Sequence, residues 1–356
     1  MTRAVTHSPL TGRNARVGEP ADQRRSTWEK LEEAIDERDA EAAAEIAAFA
    51  QDSECSFIFE LLTGWAAELR RLLAERGVPD SEIAERDRRL AGLLSFPGGE
   101  PFVPAKGWAR LELSVRAITE AVEREDWTLA ARSVGPACEA WRVLHDRTVD
   151  LSYGWMSAWV EHFGEESVPE MFRLIGQDHF EEFFELGDPC RHTWESGGAE
   201  AVLLDTLEAM RAHLSTVGRD GAPLAMVEHD DRWEFEFDPC GSGGRALRGD
   251  IVEATPSRTR DPYGFAVIEG AYPWTDGRAR MCVYCNHCQQ LYEQWTIDRS
   301  GVPFLVVDPP TAADGIGHEN PKQCRYTIYK RLDSIPDEVF ERCGRTRGEA
   351  RKPERA

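Results

Sequence analysis

Near residue 221 the spacing of apolar residues changes, and that change restricts the chain to a helical part followed by a sheet-bearing part. Up to Val217 apolar positions recur at three- and four-residue steps. In "SFIFELLTGWAAELRRLLAERG", Phe57, Leu61, Trp65, Leu69 and Leu72 share one helical face, and Gly77 ends the run. "STWEKLEEAIDERDAEAAAEIAAFA" opens with Ser26 three residues before Glu29, the spacing of a capping box. The Pro/Gly-rich "LSFPGGEPFVPAKG" interrupts the helices, which resume from Trp108 to Gly164 and continue in "VPEMFRLIG", "HFEEFFELG" and "GAEAVLLDTLEAMRAHLSTVG".

After Gly221 the period becomes two. "RWEFEF" places Trp233, Phe235 and Phe237 on one face and Glu234 and Glu236 on the other, the alternation of a strand with one wet side. "FAVIEGAYPW", "RARMCVY", "FLVVDPP" and "RYTIYK" are strand-like as well, and "NHCQQLYEQWTI" predicts a helix. The expected class is α+β: an N-terminal helical domain (26–220) followed by a small antiparallel sheet domain (221–341) that carries a Cys-rich metal site. Residues 1–25 and the basic stretch 342–356 are expected to be disordered tails.

Charge narrows the function. The net charge is -22, although residues 1–25 hold five Arg against two acids and residues 342–356 hold six basic residues against two acidic ones. The body between them is therefore strongly acidic and repels a phosphate backbone, so nucleic acid is not an expected partner. No apolar stretch matches a secretory signal or a spanning helix, which predicts a cytoplasmic protein without a membrane partner.

In a reducing compartment nine Cys are not a disulfide framework. Their clustering points to metal. "MCVYCNHC" sets Cys282, Cys285 and Cys288 at steps of three with His287 between the last two, and Cys240 and Cys324 flank the strands on either side. Tetrahedral zinc would take Cys282 and Cys285 as a knuckle, with further ligands among Cys288, Cys240, Cys324, His287 and His318. An iron-sulfur cluster is the alternative cofactor, but a bacterial ferredoxin run needs a fourth Cys where this chain has Tyr292.

Five thiols exceed four ligand places, so one is available as a nucleophile. Cys240 in "FDPCGSGGR" is the candidate. Gly241, Gly243 and Gly244 there suit an anion-binding nest, and Arg245 suits a substrate carboxylate. In "LHDRTVDLSYGW", His145 and Asp146 are candidates for a general base, the alternative being a helix surface with Arg142 and Asp146 paired at i,i+4. Cys190 and His192 in "GDPCRHTW" are either further ligands or part of a polar loop.

Taken together, "LHDRTVD", "GEES", "DPCGSGGR", "CVYCNHC" and "CRYTIYK" resemble the pattern of a poorly characterised family of bacterial proteins with a helical front and a Cys-rich back, over roughly residues 140 to 330. The His-Asp helix followed by a "GEE" turn is similar to the L-2-amino-thiazoline-4-carboxylic acid hydrolase family, whose members open a thiazoline ring. That likeness implies hydrolysis of a C-N or C-S bond in a small molecule. The expectation is a metal-dependent hydrolase, with a zinc-stapled binding module or an iron-sulfur redox protein as alternatives.

Overall fold

The computed structural model describes residues 4–7, 14–185, 198–213, 224–237, 240–317 and 322–348. Near the N-terminus β1 (Val5–His7) pairs antiparallel with β2 (Asn14–Arg16). Helices α1 (Pro20–Gln23), α2 (Thr27–Asp36), α3 (Ala40–Phe49), α4 (Ser56–Glu75), α5 (Asp80–Leu93), α6 (Pro104–Glu123), α7 (Trp127–Phe163), α8 (Val168–Glu185) and α9 (Gly198–His213) follow. Ser26 caps α2 by accepting from Trp28 N, and α4 stops two residues before Gly77, whose φ is 90°. A six-residue π-helical turn, Ala50–Cys55, links α3 to α4.

The chain divides into two compact units. The first gathers residues 1–63, 84–151 and 204–225; the second gathers 64–83, 152–203 and 226–356. A boundary drawn where the hydrophobic period changes cannot reproduce this, because α4 and α7 each contribute residues to both units.

In the first unit α3 packs on α2 and α6, with Leu31, Ile46, Leu111 and Ile118 buried. The single helical run expected from Trp108 is two helices. Glu125, at φ 56°, breaks it, and Asp126 then accepts from Leu129 N to start α7. Residues 4–7 and 14–25, expected in a disordered tail, are ordered. The buried Arg16 guanidinium donates to the carbonyls of Asp22 and Arg25 and to Thr27 Oγ1, while Thr27 donates to the buried Glu54. These are polar contacts without a hydrophobic period, so pattern reading sees nothing there.

The second unit holds a four-stranded sheet in the order β3 (Ala225–Glu228), β4 (Arg232–Phe237), β8 (Cys324–Tyr329), β7 (Val306–Asp308). The β4–β8 and β7–β8 pairings are antiparallel. Trp233, Phe235 and Phe237 face Ile328, Tyr326 and Cys324 on the buried side, whereas Glu236 and Arg325 pair at 2.8 Å on the wet side. β5 (Val267–Ile268) and β6 (Met281–Cys282) make a separate two-stranded ladder, so "FAVIEGAYPW" and "RARMCVY" contribute only two strand residues each. Between the strands, α10 (Gly243–Arg248) follows β4, and α11 (Asn286–Gln289), a π-helical turn Gln290–Gln294 and α12 (Trp295–Ser300) follow β6. The mixed α+β class with small antiparallel sheets agrees with expectation.

The end of the described chain is packed as well. After α13 (Asp337–Glu341), Cys343 joins Ile297, Val306, Ile335, Val339 and Phe340 in a buried cluster. Arg342 is bound to the carboxylate of Glu293, and Arg345 pairs with Asp298 at 2.6 Å. The stretch 342–348 is therefore anchored rather than a disordered tail: Arg342 and Arg345 answer buried or half-buried acids on the π-helical turn and α12, and Arg347 pairs with Asp337 of α13 at 2.7 Å. Glu293 also accepts from Val307 N at 2.7 Å, joining that turn to β7.

Burial lifts the Glu293 carboxyl from its ordinary 4.5 to about 7, against the opposing pull of Arg342. Between those values the folded state holds a proton that the unfolded chain has released, so stability falls as pH rises across that window. The loss is about 3 kcal/mol from this group alone. Thermal unfolding followed across the window should show the decline, and Glu293→Gln should flatten it.

Candidate metal centre

The antiparallel register of β4 and β8 does the first part of the assembly. Phe237, the last residue of β4, pairs with Cys324, the first of β8. Cys240, leaving one strand, and Cys324, entering its neighbour, thus lie at the same end of the sheet. The second part is the turn out of β6. Cys282 ends that strand, Asn286 N and His287 N bond back to Val283 O and Tyr284 O, and Cys285 is the N-cap of α11. Cys285 N donates to Cys282 Sγ at 3.3 Å.

Each of the five predicted thiols acts electrostatically on at least one of the others. Cys285 is within electrostatic reach of Cys282, Cys240 and Cys324; Cys288 of Cys240 and Cys282; and Cys324 of Cys240 and Cys288. Cys282, Cys285 and Cys324 are buried, and Cys240 and Cys288 are half-buried; each is a free thiol. Among the described residues no three Cys, His, Asp or Glu side chains form a ready ligand group for a metal ion. His318, Cys190 and His192 lie outside the described residues.

The hydrogen bonds around the sulfurs are directional. His287 Nδ1 lies 2.6 Å from Tyr284 O and donates to it, which leaves Nε2 as an acceptor 3.2 Å from Cys288 Sγ. Tyr326 OH donates to the same sulfur at 2.9 Å. Burial lowers the His287 imidazole to about 4, so it is neutral, and raises the Cys288 thiol to about 12 despite the Tyr326 hydrogen bond. In the Cys282–Cys285 pair, burial works against ionisation of Cys282, but hydrogen bonds from the Cys285 thiol and backbone outweigh it and lower its pKa. Cys285, which gives its hydrogen bond to Cys282 and is itself buried, is pushed well up. Ionising Cys282 therefore works against ionising Cys285.

The wall of the site is aromatic. Trp65 meets the His287 ring edge-on at 5.3 Å, and Tyr284 meets it at 4.7 Å. Tyr284 is fully buried, within electrostatic reach of Cys288, Cys240 and Cys285. Its hydroxyl makes no hydrogen bond of good geometry, although the Ser242 hydroxyl is near enough to act on it.

The "DPCGSGGR" loop differs from expectation. Gly243 and Gly244 are helical residues of α10 and form no nest. Gly243 has another use, since a Cβ there would collide with Cys285 Sγ. Arg245 is 2% exposed, its Nε donates to Gly241 O at 3.0 Å, and its Nη1 lies 4.0 Å from Asp250. It braces the loop from inside. Cys240 Sγ lies 3.1 Å from Ser242 Oγ.

His145 and Asp146 belong to the first unit, whereas the thiols belong to the second. Both are 1% exposed. His145 Nδ1 donates to Asp146 at 3.0 Å, its Nε2 is 3.3 Å from His213 Nδ1, and Arg142 pairs with Asp146 at 3.2 Å. The i,i+4 pair is present, but as a buried network. The "GEES" turn follows Gly164, which ends α7. Its Glu165 accepts from Glu269 N, Gly270 N and Tyr272 OH and so fixes the loop leading to β6.

Sequence reading missed Tyr326, Tyr284, Ser242, Trp65 and His213. Tyr326 carried a usable signal: it stands two residues after Cys324, on the same face of β8. The others are brought in from remote segments or point inward from a turn.

No protein family matches the chain, and no curated protein or solved structure is similar to it.

Gly243→Ala tests the close approach of α10 to Cys285. The added methyl forces either the thiol or the helix to move, at a cost of about 1–3 kcal/mol. A lowered melting temperature is the expected readout; an unchanged one would show that the two segments are not in contact.

Proposed function

We propose that the second unit is a thiolate metal centre, with zinc as the metal, serving a metal-dependent hydrolase that acts on a small molecule. The observation that supports this reading is that five thiols from separate segments of the chain act electrostatically on one another. Buried hydrophobic packing alone has no reason to select Cys at all five places. The donor set suits a thiophilic ion. Gly243 lets the Cys285 thiol lie where a Cβ would otherwise stand.

Cys282, Cys285, Cys288 and Cys324 are the proposed ligands, and Cys240, half-buried beside Ser242, the fifth ligand or the nucleophile. When bound, zinc supplies the fixed positive charge that keeps buried thiols ionised. The class of reaction, hydrolysis of a C-N or C-S bond, rests on the likeness of the His-Asp helix and "GEE" turn to the thiazoline-carboxylate hydrolases. A second reading, a closed zinc staple in a binding module, is favoured by the burial of Cys282, Cys285 and Cys324.

Metal content and the visible spectrum test the centre, on protein purified without air and without a His tag. About one zinc per chain and a colourless solution are expected. Iron with acid-labile sulfide and a broad band at about 400 nm would replace zinc by a cluster. Cys285→Ser should lose metal and solubility together. Cys240→Ser should keep both if Cys240 is the nucleophile, and lose metal if it is a ligand.

A further inference from the structure

We infer that the first unit holds a small monovalent anion, of the size and charge of a halide, on the buried Nε–Nη2 edge of Arg211. All of the residues concerned belong to that unit, whereas the thiols belong to the second. Arg16, Arg211 and Glu54 are buried together. Arg16 Nη1 donates to Thr27 Oγ1 at 3.1 Å, Thr27 donates on to Glu54 Oε2 at 2.5 Å, and Glu54 Oε1 lies 3.7 Å from Arg211 Nε. Gln23 links the same two arginines: its amide donates to Arg16 O at 2.6 Å, and its Oε1 accepts from Arg211 Nη1 at 2.8 Å. Glu54 itself stands in the π-helical turn Ala50–Cys55, a form that recurs at functional sites.

Arg211 is left incomplete by these contacts. Its Nη1 is bonded to Gln23 O and Oε1, but Nε and Nη2 make no hydrogen bond and are closed to solvent. Those two nitrogens share one edge of the planar guanidinium, a fork that grips a single anion with two N–H groups. Among the described residues Glu54 is the only ion-pair partner of Arg211, at a distance too long for a hydrogen bond. Asp22, 3.6 Å from Arg16 Nη2, is half-buried and also pairs with Lys30 at 2.9 Å. One buried carboxylate thus faces two buried guanidiniums. The excess of positive charge is felt at Arg16, whose pKa is lowered to about 10 by burial and by Arg211, against the pull of Glu54 and Asp22.

A buried charge without a counter-charge is strongly unfavourable, and an unbonded interior donor adds to the cost. Water would bond the two N–H groups but brings no charge. A halide does both, and the enclosure of the two nitrogens favours a monatomic ion over phosphate or sulfate.

The experiment melts the full chain at equal ionic strength in chloride, bromide or gluconate, the last too large for the site. Equal ionic strength is needed because any salt screens a chain of net charge -22. Chloride and bromide should raise the melting temperature over gluconate, by about 2–4 °C for each tenfold rise above the dissociation constant. Arg211→Met, which leaves Arg16 and Glu54 as a balanced pair, should abolish the difference. Glu54→Gln should move the response to lower halide concentration, because the anion becomes the sole buried counter-charge; this variant decides where Arg211→Met fails to fold. Crystals grown in bromide should show an anomalous peak on the Nε–Nη2 edge. A parent that melts alike in all three salts, a difference that survives Arg211→Met, or a response that Glu54→Gln leaves unchanged or weakens would overturn the inference. So would a crystal structure with Glu54 or water alone on that edge.

Discussion

The antiparallel pairing of β4 with β8 governs the second unit, because a shift of one residue would reverse every side chain of either strand relative to the buried face. In the observed register Phe237, Phe235 and Trp233 oppose Cys324, Tyr326 and Ile328, and the aromatic pair Phe237–Tyr326 meets edge-on at 4.8 Å. That packing places the Cys324 thiol and the Tyr326 hydroxyl on the inner side, at the end of the sheet where Cys240 leaves β4. The turn after β6 carries Cys285 and Cys288 within electrostatic reach of Cys240 and Cys324.

Charge is the second constraint. The chain is strongly acidic, and its second unit buries thiols within electrostatic reach of one another, where ionising more than one at a time is unfavourable. The hydrogen bonds present are those that steady a sulfur: Cys285 N–H on Cys282 and Tyr326 O–H on Cys288. Arg245, the nearby residue expected to receive a substrate anion, is committed to the interior of its own loop. The cations at the C-terminal end, Arg342 and Arg345, are likewise committed to acids of the π-helical turn and α12.

The first unit shows a related economy. Arg142, Asp146, His145 and His213 form a buried polar chain, and Arg16 is held largely by backbone carbonyls. Such networks are stable when their members are satisfied, and they order segments that carry little apolar surface. They explain how a short, Arg-rich N-terminal stretch acquires a strand pair and a helix without a hydrophobic pattern of its own.

By itself the sequence determined the class of fold, through the change from a period of three to four residues to a period of two; the grouping of its thiols is a reading of their spacing and their positions beside strands. Ser26 as a cap, Gly77 and Gly164 as stops, and the alternation of "RWEFEF" and "CRYTIYK" were all legible because each depends on residues adjacent in the chain. Tertiary structure alone decided the division of α4 and α7 between two units, the break at Glu125, the close approach of Gly243 to Cys285, and the turning inward of Arg245 and His145. These depend on contacts between residues far apart in sequence, and local period carries no information about what a side chain meets once the chain has folded. Tyr284 belongs to that second group. Its place between two Cys was visible in the sequence, but its full burial against the His287 ring became visible only in the packed site.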